Sequence, residues 1–218
     1  MNDFGFAVGI FFDPTATNTP RVSGFLLGPD GAFVKLPIVP AANFCINDFG
    51  QILGDNRTVG FVPTLREPGG RLIPLGFPSA AALNQLGHVC GCDGPATNVF
   101  LYAKGRVTNL GFLPGHPPLV YNGQFFTQYF PTSLNDFDTV IGVLESNVPN
   151  TFSTRWVYTS GRMYDLAQSI TPQSGFIVSN VETILDNGQI LASGALSFPD
   201  DLTRTVVLTP RFKNSIKP

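Results

Sequence analysis

The sequence of 218 residues has few charged residues and no long apolar run. Asp, Glu, Lys and Arg make up 13% of the chain, about half of the usual share in globular proteins. Short apolar bursts alternate with Gly and Pro, and none approaches the roughly 18 residues of a membrane span. The 13 basic residues are scattered singly, so the concentrated positive field that binds nucleic acid is lacking. These absences predict a soluble protein without a membrane span and without a nucleic-acid partner.

Cysteine is also scarce, and residues 1–10 show no leader pattern. Cys45, Cys90 and Cys92 cannot all pair with one another, so at least one is a free thiol, an intermolecular bridge or a metal ligand. A zinc site needs about four ligands, and only His88 lies close to the Cys-Gly-Cys segment. We therefore predict no metal and no cofactor. The basic region, apolar core and cleavage site of a signal peptide are missing, so such a signal is absent or lies outside this sequence.

A sustained 3.6-residue apolar pattern is missing too, and what recurs instead is a turn phrase. Its first residue is Asn or Leu and its last is Gly or Asp. The copies occupy residues 2–5, 47–50, 84–87, 135–138 and 185–188. Their last residues are separated by 45, 37, 51 and 50 residues, which is the spacing of repeat architectures. The density of Gly and Pro argues against helical repeats, so the units are predicted to be built from strands.

A second phrase, an aromatic residue followed by Gly-x4-Leu, lies between the turn phrases. Its aromatic residues are Phe25, Phe61, Phe100 and Trp156. Because one position in every unit carries them, we interpret all four as packing residues rather than ligand-binding ones. In the fifth unit only Thr205-Val206-Val207-Leu208 corresponds to this part of the pattern.

Each unit reads as two hairpins closed by Gly and by Asn or Asp, and four-stranded sheets of this size pack against their neighbours in β-propellers. The predicted fold is all-β, a single propeller domain of about five four-stranded blades. The repeat units are about 1–41, 42–78, 79–115, 128–170 and 176–212. The incomplete ends fit either a terminal blade closed by strands from both ends or a ring cut short.

The pattern resembles the HAF-repeat family of secreted bacterial proteins. The matching segments are INDFGQILG at 46–54, LNQLGHVCG at 83–91, LYAKGRVTNLGFLPG at 101–115 and RWVYTSGRMYDL at 155–166. The His-Ala-Phe triplet that names the family is not present; residues 23–25, for example, read Ser-Gly-Phe. The resemblance implies a β-propeller fold and an extracellular or cell-envelope location. It assigns no catalytic residue.

The residues offer few candidates for catalysis. His88 takes the place of Gln51 and Gln189 after the turn, which indicates a polar strand residue, and His116 lies in a proline-rich connection. No Gly-x-Ser-x-Gly elbow is present. A glycan-active hydrolase needs two carboxylates roughly 5 to 10 Å apart. Asp3, Asp48, Asp136 and Asp186 occupy equivalent turns, so we interpret them as hairpin-closing residues. The carboxylates that depart from the repeat are Glu67, Asp93, Asp138, Glu145, Glu182, Asp200 and Asp201.

One aromatic cluster falls largely in the long segment between the third and fourth units. It contains Tyr121, Phe125, Phe126, Tyr129 and Phe130. If these rings are exposed, they form a patch for a partner protein or a glycan; the alternative is a strand of core aromatics. We therefore predict a non-enzymatic extracellular module that binds a protein or glycan partner or assembles with itself through terminal strand edges. A hydrolase with paired carboxylates at the central channel is the alternative.

Overall fold

Consecutive strands of the chain form small antiparallel sheets. A computed structural model describes residues 1–15, 21–39, 45–56, 60–94, 96–121, 124–125, 127–146, 153–170, 175–196 and 202–210. These residues contain twenty strands and one helix of four residues, so the predicted all-β class is confirmed. Within this part of the chain, no helix is long and apolar enough to cross a membrane.

Five sheets are numbered here in chain order. Sheet 1 contains β1 (Ala7–Phe12), β2 (Val22–Leu27) and β3 (Phe33–Leu36). Sheet 2 contains β4 (Cys45–Ile46), β5 (Ile52–Asn56), β6 (Val62–Arg66) and β7 (Leu72–Pro74). Sheet 3 contains β8 (Ser79–Leu83), β9 (Val89–Cys92), β10 (Val99–Ala103) and β11 (Arg106–Gly111). In each sheet the strands pair in the order of the sequence.

A short hairpin of β12 (Val120–Tyr121) and β13 (Gln124–Phe125) separates sheet 3 from sheet 4. Sheet 4 contains β14 (Thr127–Leu134), β15 (Val140–Ser146), β16 (Thr154–Thr159) and β17 (Arg162–Asp165). It is followed by α1 (Leu166–Ser169), where the Asp165 side chain caps the helix by accepting from the Ala167 N–H. Sheet 5 contains β18 (Phe176–Ile184), β19 (Ile190–Leu196) and β20 (Arg204–Leu208).

The three middle sheets have the predicted four strands, whereas sheets 1 and 5 have three each. Sheet 1 begins with the strand that follows its turn phrase, so it lacks the strand that precedes the turn in the other sheets. Among the residues that the structure describes, sheet 5 has no fourth strand. The described strands of the two ends belong to different sheets, and a blade shared by both ends is not found among them.

A glycine lies opposite an aromatic ring in three of the sheets. Gly9 pairs with Phe25, Gly91 with Phe100 and Gly142 with Trp156. A Cβ at Gly142 would lie 2.3 Å from Trp156 Cζ2 and 2.3 Å from the Phe130 carbonyl oxygen, so only glycine leaves room for the ring. A Cβ at Gly9 would likewise lie 2.7 Å from Phe25 Cε1, whereas at Gly91 the close ring is that of Phe77, at 2.4 Å.

Phe61 does not share that position, contrary to the prediction. Thr64 is the residue opposite the equivalent glycine, Gly54, and it is buried. Phe61 lies before β6 with a φ of 59° and an exposed side chain. Phe61 lies nine residues before Gly70, whereas the other three aromatic residues lie five or six residues before their glycines, and the residue paired with Gly54 is three positions further along the chain.

The core is divided among the contacts between successive sheets. Leu36, Ile38 and Ile52 pack between sheets 1 and 2. Clusters around Leu65, Trp156 and Ile141 lie between sheets 2 and 3, sheets 3 and 4, and sheets 4 and 5, respectively. Successive sheets therefore bury apolar faces against each other, as expected of repeat proteins.

Candidate functional site

The repeated turns share one internal hydrogen bond. In each of the first four turns the leading asparagine accepts, through its side-chain oxygen, from the backbone N–H four residues later. The bonds join Asn2 to Phe6, Asn47 to Gln51, Asn84 to His88 and Asn135 to Thr139, at 2.9 to 3.0 Å. Asparagine is thus the residue that closes each hairpin through its side chain.

The same asparagines also join each turn to the next one. The side-chain nitrogen of Asn2 donates to the carbonyl of Asn47, that of Asn47 to Asn84, that of Asn84 to Asn135, and that of Asn135 to Leu185. The distances lie between 2.9 and 3.1 Å, and all four asparagines are buried. We call this series of bonds the amide ladder. It fixes five turns side by side.

A second bond accompanies each step of the amide ladder and corrects the predicted role of the turn aspartates. The backbone N–H of Asp3 donates to the Asp48 carboxylate, that of Asp48 to the Gln85 side chain, that of Gln85 to Asp136, and that of Asp136 to Asp186, each at 2.8 Å. The carboxylates of Asp48, Asp136 and Asp186 therefore join a turn to its predecessor instead of closing their own hairpins.

The turns also surround a small cavity of about 220 Å³. Its walls come from sheets 2 to 5 and combine the aliphatic residue before each turn with the polar residues of the turn. The lining residues are Ile46, Asn47, Leu83, Asn84, Gln85, Leu134, Asn135, Asp136, Ile184, Leu185 and Asp186. Its two carboxylates, Asp136 and Asp186, each accept a backbone N–H. The cavity is thus lined mainly by apolar and amide groups.

Four large apolar side chains project from the tips of adjacent turns. Phe4, Phe49, Leu86 and Phe137 occupy the third position of their turns and are between 56% and 76% exposed. We call them the tip residues. The sequence interpretation missed them because it treated the turns as polar connections. The sequence does contain a signal for them: the third position is apolar in four of the five turns, although turns ordinarily favour Gly, Asn and Asp.

His88 and Asp138 form a pair between sheets 3 and 4. The His88 ring is buried, and its Nδ1 lies 2.8 Å from Asp138 Oδ1. Its Nε2 is buried and has no hydrogen-bond partner among the described residues. Asp138 replaces the turn glycine and has a φ of 59°, a conformation that aspartate tolerates better than most residues. The contact accounts for both departures from the repeat, which turn chemistry alone did not explain.

A wider groove of about 1000 Å³ lies between sheets 4 and 5. Its residues include Phe137, Thr139, Val157, Leu166 and Gly188. At the contact between sheets 2 and 3, the Gln51 side chain covers the turn glycine Gly87. Thr139 is the shorter residue at the position of Gln51, and Pro210 lies over Gly188 instead, with its Cγ 3.2 Å from where a Cβ on Gly188 would stand.

The predicted aromatic cluster is only partly described. Tyr129 is fully buried against Trp156, and its hydroxyl accepts from the Leu113 N–H and donates to the His116 carbonyl. Burial raises the pKa of Tyr129 to about 12, although the Leu113 N–H opposes this shift. Phe130 is half-buried. The side chains of Tyr121 and Phe125, and all of Phe126, lie outside the described residues.

The remaining candidates for chemistry have local partners or lie on the surface. Asp93 accepts from Thr97 and Asn98, and Glu67 lies 3.9 Å from Arg71. Glu145 and Glu182 are exposed strand residues. Asp200 and Asp201 lie outside the described residues.

The cysteines of the Cys-Gly-Cys segment lie on β9. Cys90 and Cys92 are both buried thiols, and burial raises the pKa of Cys92. The side chain of Cys45 is not among those described. Within the described residues, no group of three or more His, Cys, Asp or Glu is placed to hold a metal ion.

Comparisons with known proteins give a distant likeness only. No family model matches the chain, and no curated protein matches it. Two solved structures of virginiamycin B lyase from Staphylococcus aureus are similar to it, one selenomethionine-substituted and one of a catalytically inactive variant with quinupristin. In both cases the identity is 10%, the TM-score is 0.46, and the match covers 96% of this chain and 76% of the lyase.

Proposed function

We propose that the five sheets are the blades of a β-propeller whose axis passes through the small cavity. Two observations support this arrangement. Each sheet packs against the next one in the chain, and turns from sheets 2 to 5 line one cavity. Sheets stacked in a straight row would not bring sheet 2 and sheet 5 to the same cavity.

We further propose that the protein is a non-enzymatic binding module, as the sequence indicated, and that it uses the face bearing the tip residues. The observation that carries this proposal is their exposure on turns fixed by the amide ladder. A row of exposed apolar side chains on a rigid surface is typical of protein interaction sites. An extracellular or cell-envelope location remains part of the proposal and rests on the family resemblance.

The chemistry of this face favours a protein partner over a glycan. Phe and Leu supply apolar area without the polar groups that orient a sugar, and Leu86 lacks a flat ring. The neighbouring carboxylates of Asp3, Asp48 and Asp136 add negative charge. The partner is therefore expected to present an apolar segment flanked by Lys or Arg.

Binding to immobilised peptides and to a glycan array tests this proposal. We expect the wild-type protein to bind peptides that combine apolar and basic residues, with affinity that falls as salt is added. The variants F49S and F137S should bind at least about tenfold more weakly. The variant F12S is the matched control, because Phe12 is equally exposed but lies at the end of β1.

Equal binding by the tip variants and the wild type would overturn the use of this face. Binding to glycans alone would overturn the choice of a protein partner, and hydrolysis of an arrayed glycan would overturn the non-enzymatic function. The hydrolase alternative gains no support from the cavity, because both of its carboxylates already accept backbone N–H groups.

A further inference from the structure

The described residues form four contacts between successive sheets, and each contact uses the same two kinds of face. We call the face of a sheet that packs against the next sheet its forward face. It contains the residue three positions after the end of the turn and the residue paired with it on the next strand. In sheets 2, 3 and 4 these pairs are Leu53 with Leu65, Cys90 with Leu101, and Ile141 with Val157. The backward face, which meets the preceding sheet, is marked in sheet 4 by Trp156 and Met163.

Sheet 5 has a forward face that is only partly covered. The equivalent pair is Leu191 with Val207. Val207 is 55% exposed, whereas Leu65 at the same position in sheet 2 is 2% exposed. Ile177, on the same side of sheet 5, is exposed as well. The face is therefore apolar in composition and open to solvent.

Sheet 1 has the complementary backward face. Phe25 and Phe33 occupy the positions of Trp156 and Met163 in sheet 4, according to the pairing of the strands. Phe33 is 55% exposed, whereas Met163 is 2% exposed. Phe11, Phe25 and Phe33 pack against one another with ring centroids 5.4 to 6.5 Å apart. An apolar backward face is thus also left open.

We infer that the forward face of sheet 5 binds the backward face of sheet 1 in a second copy of this chain. One open face is a forward face and the other is a backward face, and these two kinds of face pack together four times inside the molecule. The two open faces are therefore complementary in composition. The copies associate head to tail, and such heterologous contacts generate rings or open chains of subunits. The contact uses sheet faces rather than the terminal strand edges predicted from the sequence.

The contact between copies is weaker than the internal ones, because one of its hydrogen bonds cannot form. Leu185 stands where the other turns carry the asparagine that donates to the next turn. A Leu side chain has no donor for the carbonyl of Asn2 in the neighbouring copy. Association therefore depends mainly on apolar burial and is reversible with concentration.

Sedimentation velocity over a wide concentration range tests the inference on the full chain. The mean mass of the wild-type protein should rise with concentration. F33D and V207D should each stay monomeric, because a buried unpaired carboxylate weakens association by more than about tenfold. V34D is the matched control, since Val34 is also exposed but lies on the opposite side of β3, and it should behave like the wild type.

A mixture of F33D and V207D identifies the pairing of unlike faces. Each variant keeps one intact face, so the mixture should form a heterodimer and no larger species. A monomeric wild type at every concentration would overturn the inference, as would association that survives both substitutions, which would indicate pairing of strand edges. A disulfide formed within one copy of an F33C/V207C variant would show closure of the ring by a single chain instead.

This test is independent of the proposed function. F49S removes a tip residue but neither end face, so it should lose peptide binding and still associate. F33D should show the reverse behaviour.

Discussion

Sheets 4 and 1 carry the same repeat pattern, yet only sheet 4 has neighbours on both faces. Trp156 in sheet 4 is fully buried, whereas Phe25, the equivalent residue in sheet 1, is half-buried among its own aromatic neighbours. The residue type is similar and the strand pairing is the same. The difference teaches that a unit of this protein is stabilised largely by the sheets around it.

The largest effect in this comparison is expected from W156A. Trp156 belongs to the cluster between sheets 3 and 4, and removing a buried aromatic ring typically costs about 3 to 5 kcal/mol. F25A should cost less, about 2 kcal/mol, because Phe25 is only partly buried and so removes less apolar surface from water. Urea denaturation of both variants measures the two free energies of unfolding. Equal losses would contradict the idea that the neighbouring sheets make the difference.

The next effect concerns the amide ladder. N84A removes the bond to the Asn135 carbonyl and the bond from the His88 N–H, and both groups are then left buried without this partner. The expected loss is about 2 to 3 kcal/mol. N187A is the matched control, since Asn187 is exposed and its described side-chain hydrogen bonds join it to Gln189, two residues along the chain. It should change stability by less than about 0.5 kcal/mol.

Y129F tests the hydrogen bonds of the Tyr129 hydroxyl at the contact between sheets 3 and 4. The substitution keeps the ring against Trp156 but removes the hydroxyl that serves the Leu113 N–H and the His116 carbonyl. The expected loss is about 1 to 2 kcal/mol, measured by thermal and urea denaturation. No loss would indicate that water replaces the hydroxyl without cost.

The smallest effect is expected in sheet 1, where Asp13 pairs with the partly exposed Lys35. Lys35, followed by Thr15 and Ser23, holds the pKa of Asp13 well below its ordinary value. Because the folded-state pKa is lowered, this carboxylate stabilises the fold above the unfolded pKa of about 3.9. The stabilisation is lost progressively as the pH falls below that value.

The variant D13N should therefore be less stable than the wild type at neutral pH. The difference should shrink as the pH is lowered from about 4 towards 2, and denaturation at a series of pH values measures it. A difference that grows on acidification would have the wrong sign and would contradict the role given to Asp13.

The hairpins, their order and the all-β class could be predicted from the sequence because glycine and asparagine at fixed spacing determine turns locally. The role of Asp48 and Asp136 could not, since a single repeat does not reveal that a carboxylate bonds the turn 45 or 51 residues earlier. The prediction for Phe61 was wrong for a related reason, because spacing along the chain does not determine strand register. The pairing of Gly54 with Thr64 shows that Thr64, and not Phe61, occupies the repeated position.

The position of the candidate site was also hard to predict. The sequence left open whether Tyr129 belongs to an exposed patch or to the core. It is buried, and the hydrogen-bond partners of its hydroxyl come from residues 113 and 116 of another segment. The tip residues could be recognised in the sequence as an apolar residue that recurs at the third position of the turns. Their exposure depends on how the turns are arranged in space, which the sequence pattern does not specify.

Both series of hydrogen bonds between the turns run in one direction, with the donor on one turn and the acceptor on its successor. Each unit thus has a distinct head and tail. An engineered chain with one unit duplicated between sheets 3 and 4 would match every donor to an acceptor. A unit added after sheet 5 would lack the hydrogen bond of the amide ladder, because the Leu185 side chain has no N–H donor. Units can therefore be inserted between existing sheets, whereas adding a unit after sheet 5 first requires L185N.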